Sequence, residues 1–276
     1  MRPALLGGRA WTPWARRLRQ TRAIALFSDF DGTLTPIVSR PGRARLPAST
    51  RDLLRRLARQ PGVLVGIVSG RPVAELRRVV RLPGLAYVGI HGIEIAWPGQ
   101  RVHSSARAAD RARVDQARRQ LENTLADIRG VWVERKTASV AVHFRKAPAA
   151  AQPRIEREVQ GIARRFAGQL GLQRGKKVLE LLPAIGASKA SGVFTLLEKL
   201  PRWLGSAPLP IYLGDDLTDE TVFRRLGGRG LSILVGRPHS AEGAHRHPSA
   251  ARYFLADPAA VRKFLRELLA LRSAAR

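Results

Sequence analysis

Apolar and polar positions follow two different rhythms along this chain. In the first hundred residues three apolar runs stand out, Ala23 to Phe27, Val63 to Val68 and Leu85 to Ile90. Unbroken runs of this length predict strands buried on both faces. Between the first two, Ser49-Thr50 opens a helical pattern with Leu53, Leu54, Leu57 and Ala58 on one face. Between the second and third, Pro72 suits a helix start ahead of Leu76, Val79 and Val80. Strand, helix, strand, helix, strand is the signature of a parallel sheet. The same rhythm resumes later, with strands predicted at Ile211 to Leu213 and Leu231 to Leu234 and a helix from about Asp219 to Leu226 between them. Pro258 to Arg272 predicts a closing amphipathic helix.

The middle of the chain breaks that rhythm. Ser105 to Ile128 predicts one long charged helix, Val131 to Glu134 with Ser139 to Phe144 a hairpin, Ala150 to Leu170 a second helix, and Val178 to Leu182 a further strand. This order suits an α+β unit. The expected organisation is therefore α/β: a Rossmann-like parallel-sheet core over residues 21–100 and 184–276, with an inserted α+β cap over 101–183. Residues 1–20, rich in Arg and Trp, are expected to be a loosely held basic extension.

Composition changes the picture little. The chain has 276 residues, 45% hydrophobic and 25% charged, which is ordinary for a globular protein. Its net charge of +28 is unusual, and since only seven of 49 basic residues are Lys the excess is Arg. Such charge favours anionic ligands. It is scattered, without an Arg-rich block interleaved with aromatics, so no specific nucleic acid is expected. With no Cys, disulfides, thiolate catalysis and Cys-based zinc sites are excluded. No apolar run is long enough to predict a membrane span, and no signal-type segment opens the chain, so a cytoplasmic location is the default expectation.

The chemistry gathers at the predicted strand ends. Asp29-Phe30-Asp31-Gly32-Thr33 follows the first apolar run and places two carboxylates two residues apart. On a strand, residues i and i+2 point the same way, and ligands of open α/β sheets bind outside the carboxyl ends of the strands. One carboxylate there can act as nucleophile and its neighbour can carry protons. Ser69-Gly70-Arg71 follows the second strand and offers a hydroxyl, backbone N–H groups and a guanidinium. Lys189 opens the helical stretch Ser188 to Leu200, where a cation can hold a transferring phosphoryl group. Gly214-Asp215-Asp216-Leu217-Thr218-Asp219-Glu220 crowds four carboxylates into six residues. Such like charges repel unless a cation or a basic ligand site compensates them, and hard oxygen ligands in such a place suit Mg²⁺.

The order of Asp29-Phe30-Asp31-Gly32-Thr33, Ser69, Lys189 and Gly214-Asp215-Asp216 resembles the haloacid dehalogenase superfamily of phosphohydrolases. Gly214-Asp215-Asp216-x-Thr218-Asp219-Glu220, Gly89 to Glu94, Glu134-x-Lys136, Val142 to Arg145 and Gly175 to Glu180 resemble its trehalose-6-phosphate phosphatases. The chain departs from that pattern at Ala190, where Gly is usual after the lysine, and at Phe144, where Tyr is usual. The resemblance implies hydrolysis of trehalose 6-phosphate through an aspartyl-phosphate on Asp29, with Asp31 as acid and base, and Ser69 and Lys189 on the phosphoryl oxygens. It implies Mg²⁺ held by Asp29, Asp31 and Asp215, with Asp216 nearby. Glu134, Lys136 and Glu180 would hold the distal glucose, with Arg71 and His91 as further substrate contacts and Arg145, His143 and Lys176 as weaker ones. A trehalose-6-phosphate synthase is the partner it suggests. Other phosphorylated disaccharides or glycosides, such as sucrose 6-phosphate and glucosyl-3-phosphoglycerate, are the alternative substrates. The net charge offers a different alternative, a basic nucleic-acid-binding module on a phosphatase-like scaffold.

Overall fold

The protein is described by a computed structural model covering residues 3–38, 44–175, 177–200, 204–236 and 248–274. It forms two compact units, Met1–His103 with Ser188–Arg276 and the insert Ser104–Ala187. In chain order the first unit begins with β1 (Ala4–Leu5), α1 (Trp11–Gln20), β2 (Ile24–Asp29), α2 (Ala48–Ala58), β3 (Val63–Val68), α3 (Val73–Val80), β4 (Ala86–Gly89), β5 (Glu94–Ala96) and β6 (His103–Ser104). The insert carries α4 (Ala108–Leu125), β7 (Trp132–Arg135), β8 (Val140–His143), α5 (Gln152–Arg165), β9 (Leu170–Gly175) and β10 (Val178–Pro183). The first unit then resumes with α6 (Lys189–Lys199), β11 (Leu209–Gly214), α7 (Glu220–Leu226), β12 (Leu231–Val235), β13 (Tyr253–Leu255) and α8 (Pro258–Ser273).

Among the described residues the core sheet has nine strands in the order β1-β13-β12-β11-β2-β3-β4-β5-β6. It is parallel from β1 to β4, and β5 runs antiparallel to β4. The central strands are continuous apolar runs because both faces are covered. In β2, Ile24 and Leu26 join the cluster that includes Leu54 and Leu57 of α2 and Leu265 and Leu268 of α8. Ala25 and Phe27 join the opposite cluster, with Val193 and Leu196 of α6 and Phe223 of α7. The result is a three-layer α/β sandwich that holds β2, β3 and β11 rigidly side by side.

Two expectations from the sequence are corrected. Residues 3–20 are not loosely held. β1 pairs in parallel with β13, and α1 buries Trp14 and Leu18. The Trp11 ring meets Phe264 of α8 edge-on at 5.5 Å, and Trp14 meets Tyr253 of β13 at 6.3 Å. Arg side chains between these apolar positions masked a helical stripe. In the insert, the second helix ends at Arg165, and Leu170–Gly175 becomes a strand rather than the helix's last turn.

The insert is a four-stranded antiparallel sheet, β7-β8-β10-β9. Val140, Val142, Leu179 and Leu181 pack with Val114 and Leu121 of α4 and Val159 and Ile162 of α5. Strand alternation places Trp132, Glu134, Ala141, His143, Val178 and Glu180 on the other face.

Candidate active site

Asp29 is the last residue of β2, paired in register with Val68 of β3. The chain then turns tightly. Leu34 and Thr35 each donate a backbone N–H to the carbonyl of Phe30, and Gly32 N donates to Thr35 O. Gly32 is needed there for two reasons. Its φ is +94°, and a Cβ would stand 2.2 Å from Oδ2 of Asp215. A side chain would both strain the turn and push away the carboxylate arriving from β11.

That second carboxylate comes from the neighbouring parallel strand, since β11 pairs with β2 through Leu213 and Ser28. The acidic run after β11 resolves into distinct roles. Asp219 folds back over its own turn and becomes a hub. Its Oδ2 accepts from the backbone N–H groups of Asp215 and Asp216, both at 3.0 Å. Its Oδ1 accepts from Tyr212 Oη at 2.6 Å and Lys189 Nζ at 2.8 Å. Gly214 allows this, because a Cβ there would sit 2.3 Å from the Asp219 carboxyl carbon. Glu220 turns away and accepts from Ser249 Oγ and Ala250 N. Asp216 accepts from the backbone N–H of Leu217, and among the described residues the carboxylates that converge are those of Asp29, Asp215 and Asp219.

Lys189, the first residue of α6, is held at the helix start by a Ser188–Ser191 capping box. Its ammonium also donates to Asp29 Oδ1 at 2.6 Å. Asp29, Lys189, Asp215 and Asp219 are all at most 4% exposed. Oxygens of Asp29, Asp215 and Asp219 lie within 4.8 Å of one another. Burial pushes the Asp29 carboxyl well above the usual carboxylate range against the pull of Lys189, and the Asp219 and Asp215 charges push it the same way. Burial works against the Lys189 charge, but Asp219 and Asp29 outweigh it and hold the ammonium ionised.

These residues fit a divalent cation. Oδ2 of Asp29 is buried without a hydrogen-bond partner among the described residues, in a cluster of carboxylates of hard oxygen character. Asp29 and Asp215 are the residues to hold it, because Asp219 already accepts four hydrogen bonds. Sequence reasoning singled out Asp216 and left Asp219 in the run. The spacing alone does not tell which of four neighbouring carboxylates folds back.

On the other side of the β2 turn, Arg71 Nε and Nη2 donate to the two oxygens of Asp31 at 2.6 and 2.7 Å. Ser69 is buried, and its Oγ accepts from Arg71 N at 3.2 Å. His91 sits in the turn after β4 at φ +52°, with its ring against Gly70. Glu94, from the same sequence motif, has a structural task. Its buried carboxylate accepts from Val73 N at 2.7 Å, satisfying a free N–H at the start of α3.

Within the insert, Glu134, Ala141 and Glu180 lie in one cross-strand register. Lys136 Nζ donates to Glu180 Oε2 at 2.8 Å, and Ser139 Oγ donates to Oε1. His143 Nε2 and Glu134 Oε2 are 2.8 Å apart. The half-exposed Trp132 ring stacks on His143 at 4.7 Å. Arg145 is exposed in the turn after β8. Lys176 lies outside the described residues.

A carboxylate, a lysine and a second acidic loop gathered at the strand ends of this parallel sheet, with an α+β insert, define a protein of haloacid dehalogenase fold. A haloacid dehalogenase-like hydrolase from Bacteroides thetaiotaomicron superposes with a TM-score of 0.61 at 17% identity, over 88% of this chain and 98% of that one. The C-terminal domain of C. albicans trehalose-6-phosphate phosphatase superposes with a TM-score of 0.83 at 22% identity, over 98% of this chain and 99% of that one. The profile described as trehalose-phosphatase matches residues 27–259. The trehalose-phosphate phosphatase of Mycobacterium marinum is 38% identical over 243 residues, 87% of this chain and 60% of that protein. The chain thus belongs to the trehalose-phosphatase family, and it spans 60% of the length of that mycobacterial relative.

Proposed function

We propose that this chain hydrolyses trehalose 6-phosphate to trehalose and phosphate, at the strand ends of β2, β3 and β11. The observation that carries the reading is the buried Asp29 carboxylate, tied at Oδ1 to Lys189 and unpartnered at Oδ2, beside Asp215. Family membership supplies the substrate class.

Asp29 attacks phosphorus, a new P–O bond forms on its carboxylate, and the bond to the sugar oxygen breaks. Asp31, on the more open side of the turn, gives its proton to the departing sugar oxygen. It then takes a proton from the water that attacks the aspartyl-phosphate, releasing phosphate and restoring Asp29. Lys189 and Ser69 hold phosphoryl oxygens as negative charge shifts during transfer. Mg²⁺ is the cation proposed for Asp29 and Asp215, together with the backbone carbonyl of Asp31. When bound, it offsets the repulsion between a carboxylate nucleophile and a phosphate dianion. In the insert, the polar face formed by Glu134, Lys136 and Glu180 is the proposed glucose-binding surface. The reading carries the cytoplasm as compartment and a trehalose-6-phosphate synthase as candidate partner.

The test is phosphate release from trehalose 6-phosphate, sucrose 6-phosphate, glucose 6-phosphate and glucosyl-3-phosphoglycerate, with Mg²⁺ and with EDTA. The expected outcome is a strong preference for the first, abolished by EDTA. Preference for another member would replace the sugar assignment and leave the core chemistry standing.

A second measurement isolates the insert. Loss of a hydrogen bond to a charged group is worth about 1.5–3 kcal/mol. Glu180→Gln is therefore expected to lower kcat/KM for trehalose 6-phosphate by about 10- to 100-fold. Hydrolysis of p-nitrophenyl phosphate should stay within about twofold, since that ester offers no sugar hydroxyls. Equal losses on both substrates would refute the glucose role.

A further inference from the structure

Arg71 is only 4% exposed and occupies both ends of its guanidinium on carboxylates. Its Nε–Nη2 edge clamps Asp31 through two hydrogen bonds of 2.6 and 2.7 Å. Its Nη1 donates to Glu75, one turn further on in α3. The charge centre lies 5.4 Å from the Phe30 ring centroid, which closes another side. The reaction described above uses Asp31 twice and leaves Glu75 without a task. Glu75 nonetheless keeps a side chain 19% exposed against a buried cation.

We propose that Glu75 is a positioning residue that, through Arg71, sets the direction from which Asp31 delivers its proton. A guanidinium is a rigid planar fork. Fixing Nη1 on a helix fixes the plane of the fork, and the plane fixes the bidentate edge that holds Asp31. Asp31 takes its side-chain orientation from that fork, for the carboxylate is otherwise 37% exposed. Glu75 also divides the Arg71 charge between two carboxylates, so the clamp on Asp31 is weaker than an exclusive pair. Asp31 can then leave the clamp enough to reach the sugar oxygen, while remaining aimed at it. This inference rests on the proposed reading that Asp29 is the nucleophile and Asp31 the acid.

The test exploits leaving-group chemistry. p-Nitrophenolate departs without needing a proton, whereas a sugar alkoxide departs only as it is protonated. Single-turnover formation of the aspartyl-phosphate is measured by rapid quench with trehalose 6-phosphate, or with whichever sugar phosphate of the panel the wild type hydrolyses. The release burst of p-nitrophenol from p-nitrophenyl phosphate is measured in parallel. For Glu75→Ala the sugar-phosphate step is expected to slow by about 10- to 100-fold, the size of effect produced by misaiming a proton donor. The p-nitrophenol burst rate is expected to stay within about twofold, and KM likewise. Glu75→Gln retains an acceptor for Nη1 and is expected to recover most of the lost rate. Equal slowing with both esters would make Glu75 merely structural and overturn the proposal, as would unchanged rates with both. A wild type that forms no aspartyl-phosphate from any ester would instead overturn the nucleophile assignment, and the role of Glu75 would fall with it.

Discussion

Asp29→Asn is expected to lower kcat for trehalose 6-phosphate by about 10⁴-fold or more, because an amide cannot form the covalent intermediate. The fold should survive and even gain. Lys189 keeps its contact with Asp219 at 2.8 Å, and Tyr212 and the loop N–H groups remain bound to the same hub. What disappears is a carboxyl whose pKa is raised chiefly by burial. A carboxyl with a higher pKa folded than unfolded favours the folded state below the unfolded value, and that contribution is lost as pH rises through the folded value. Asn carries no such penalty. In EDTA, the melting temperature of the variant should therefore rise relative to wild type as pH increases from the ordinary carboxyl range, near 4, towards neutrality. Circular dichroism melts across that range check the sign. A variant that melts well below wild type at neutral pH would mean that Asp29 chiefly holds the fold.

Asp219→Ala should do the reverse damage: activity and stability fall together. Asp219 is fully buried and satisfies an ammonium, a phenol and two backbone N–H groups. Removing it leaves the buried Lys189 ammonium to its contact with Asp29 and strips the turn that presents Asp215. Breaking a buried ion pair from one side costs about 3–5 kcal/mol, which corresponds to a melting temperature lower by on the order of 10 °C for a unit of this size. Because the Asp215 turn would lose its anchor, turnover is expected to drop by about 100-fold or more even below the melting point. Tyr212→Phe is the control. It removes one of four hydrogen bonds to the same carboxylate, so a loss of about 1 kcal/mol in chemical denaturation is expected. A large stability loss in the control with little in Asp219→Ala would place the hub at Tyr212 instead.

These two residues also mark how far the sequence reaches. Asp29 was legible because the signal is local. An apolar run buried on both faces must be a central strand, and a carboxylate pair at its end must face the ligand side of a parallel sheet. Lys189 and the acidic run were legible for the same reason, each lying at the start or end of an element that periodicity identifies. The insert too was visible, as a break in the strand–helix rhythm.

Tertiary structure decided what depends on side chains meeting across the chain. Four carboxylates follow β11, and their sequence order does not distinguish them. The fold-back over Gly214 assigns Asp219 to the lysine and the backbone, leaves Asp215 beside Asp29, and turns Asp216 and Glu220 elsewhere. The sequence offers Arg71 as a candidate substrate contact, and only the fold shows Asp31, 40 residues earlier, in its fork. The Arg-rich start read as a loose tail because charge obscured Trp11, Trp14 and Leu18, whose partners lie in β13 and α8 at the far end of the chain. Strand and helix periodicities are set by neighbours a few residues apart, so the sequence by itself determined the elements, the sheet and the residue types at its edge. Which atoms pair, and so which of the carboxylates after β11 stands beside Asp29 and which anchors the lysine and the turn, is set by contacts between residues tens to hundreds of positions apart, and only the folded chain supplies those.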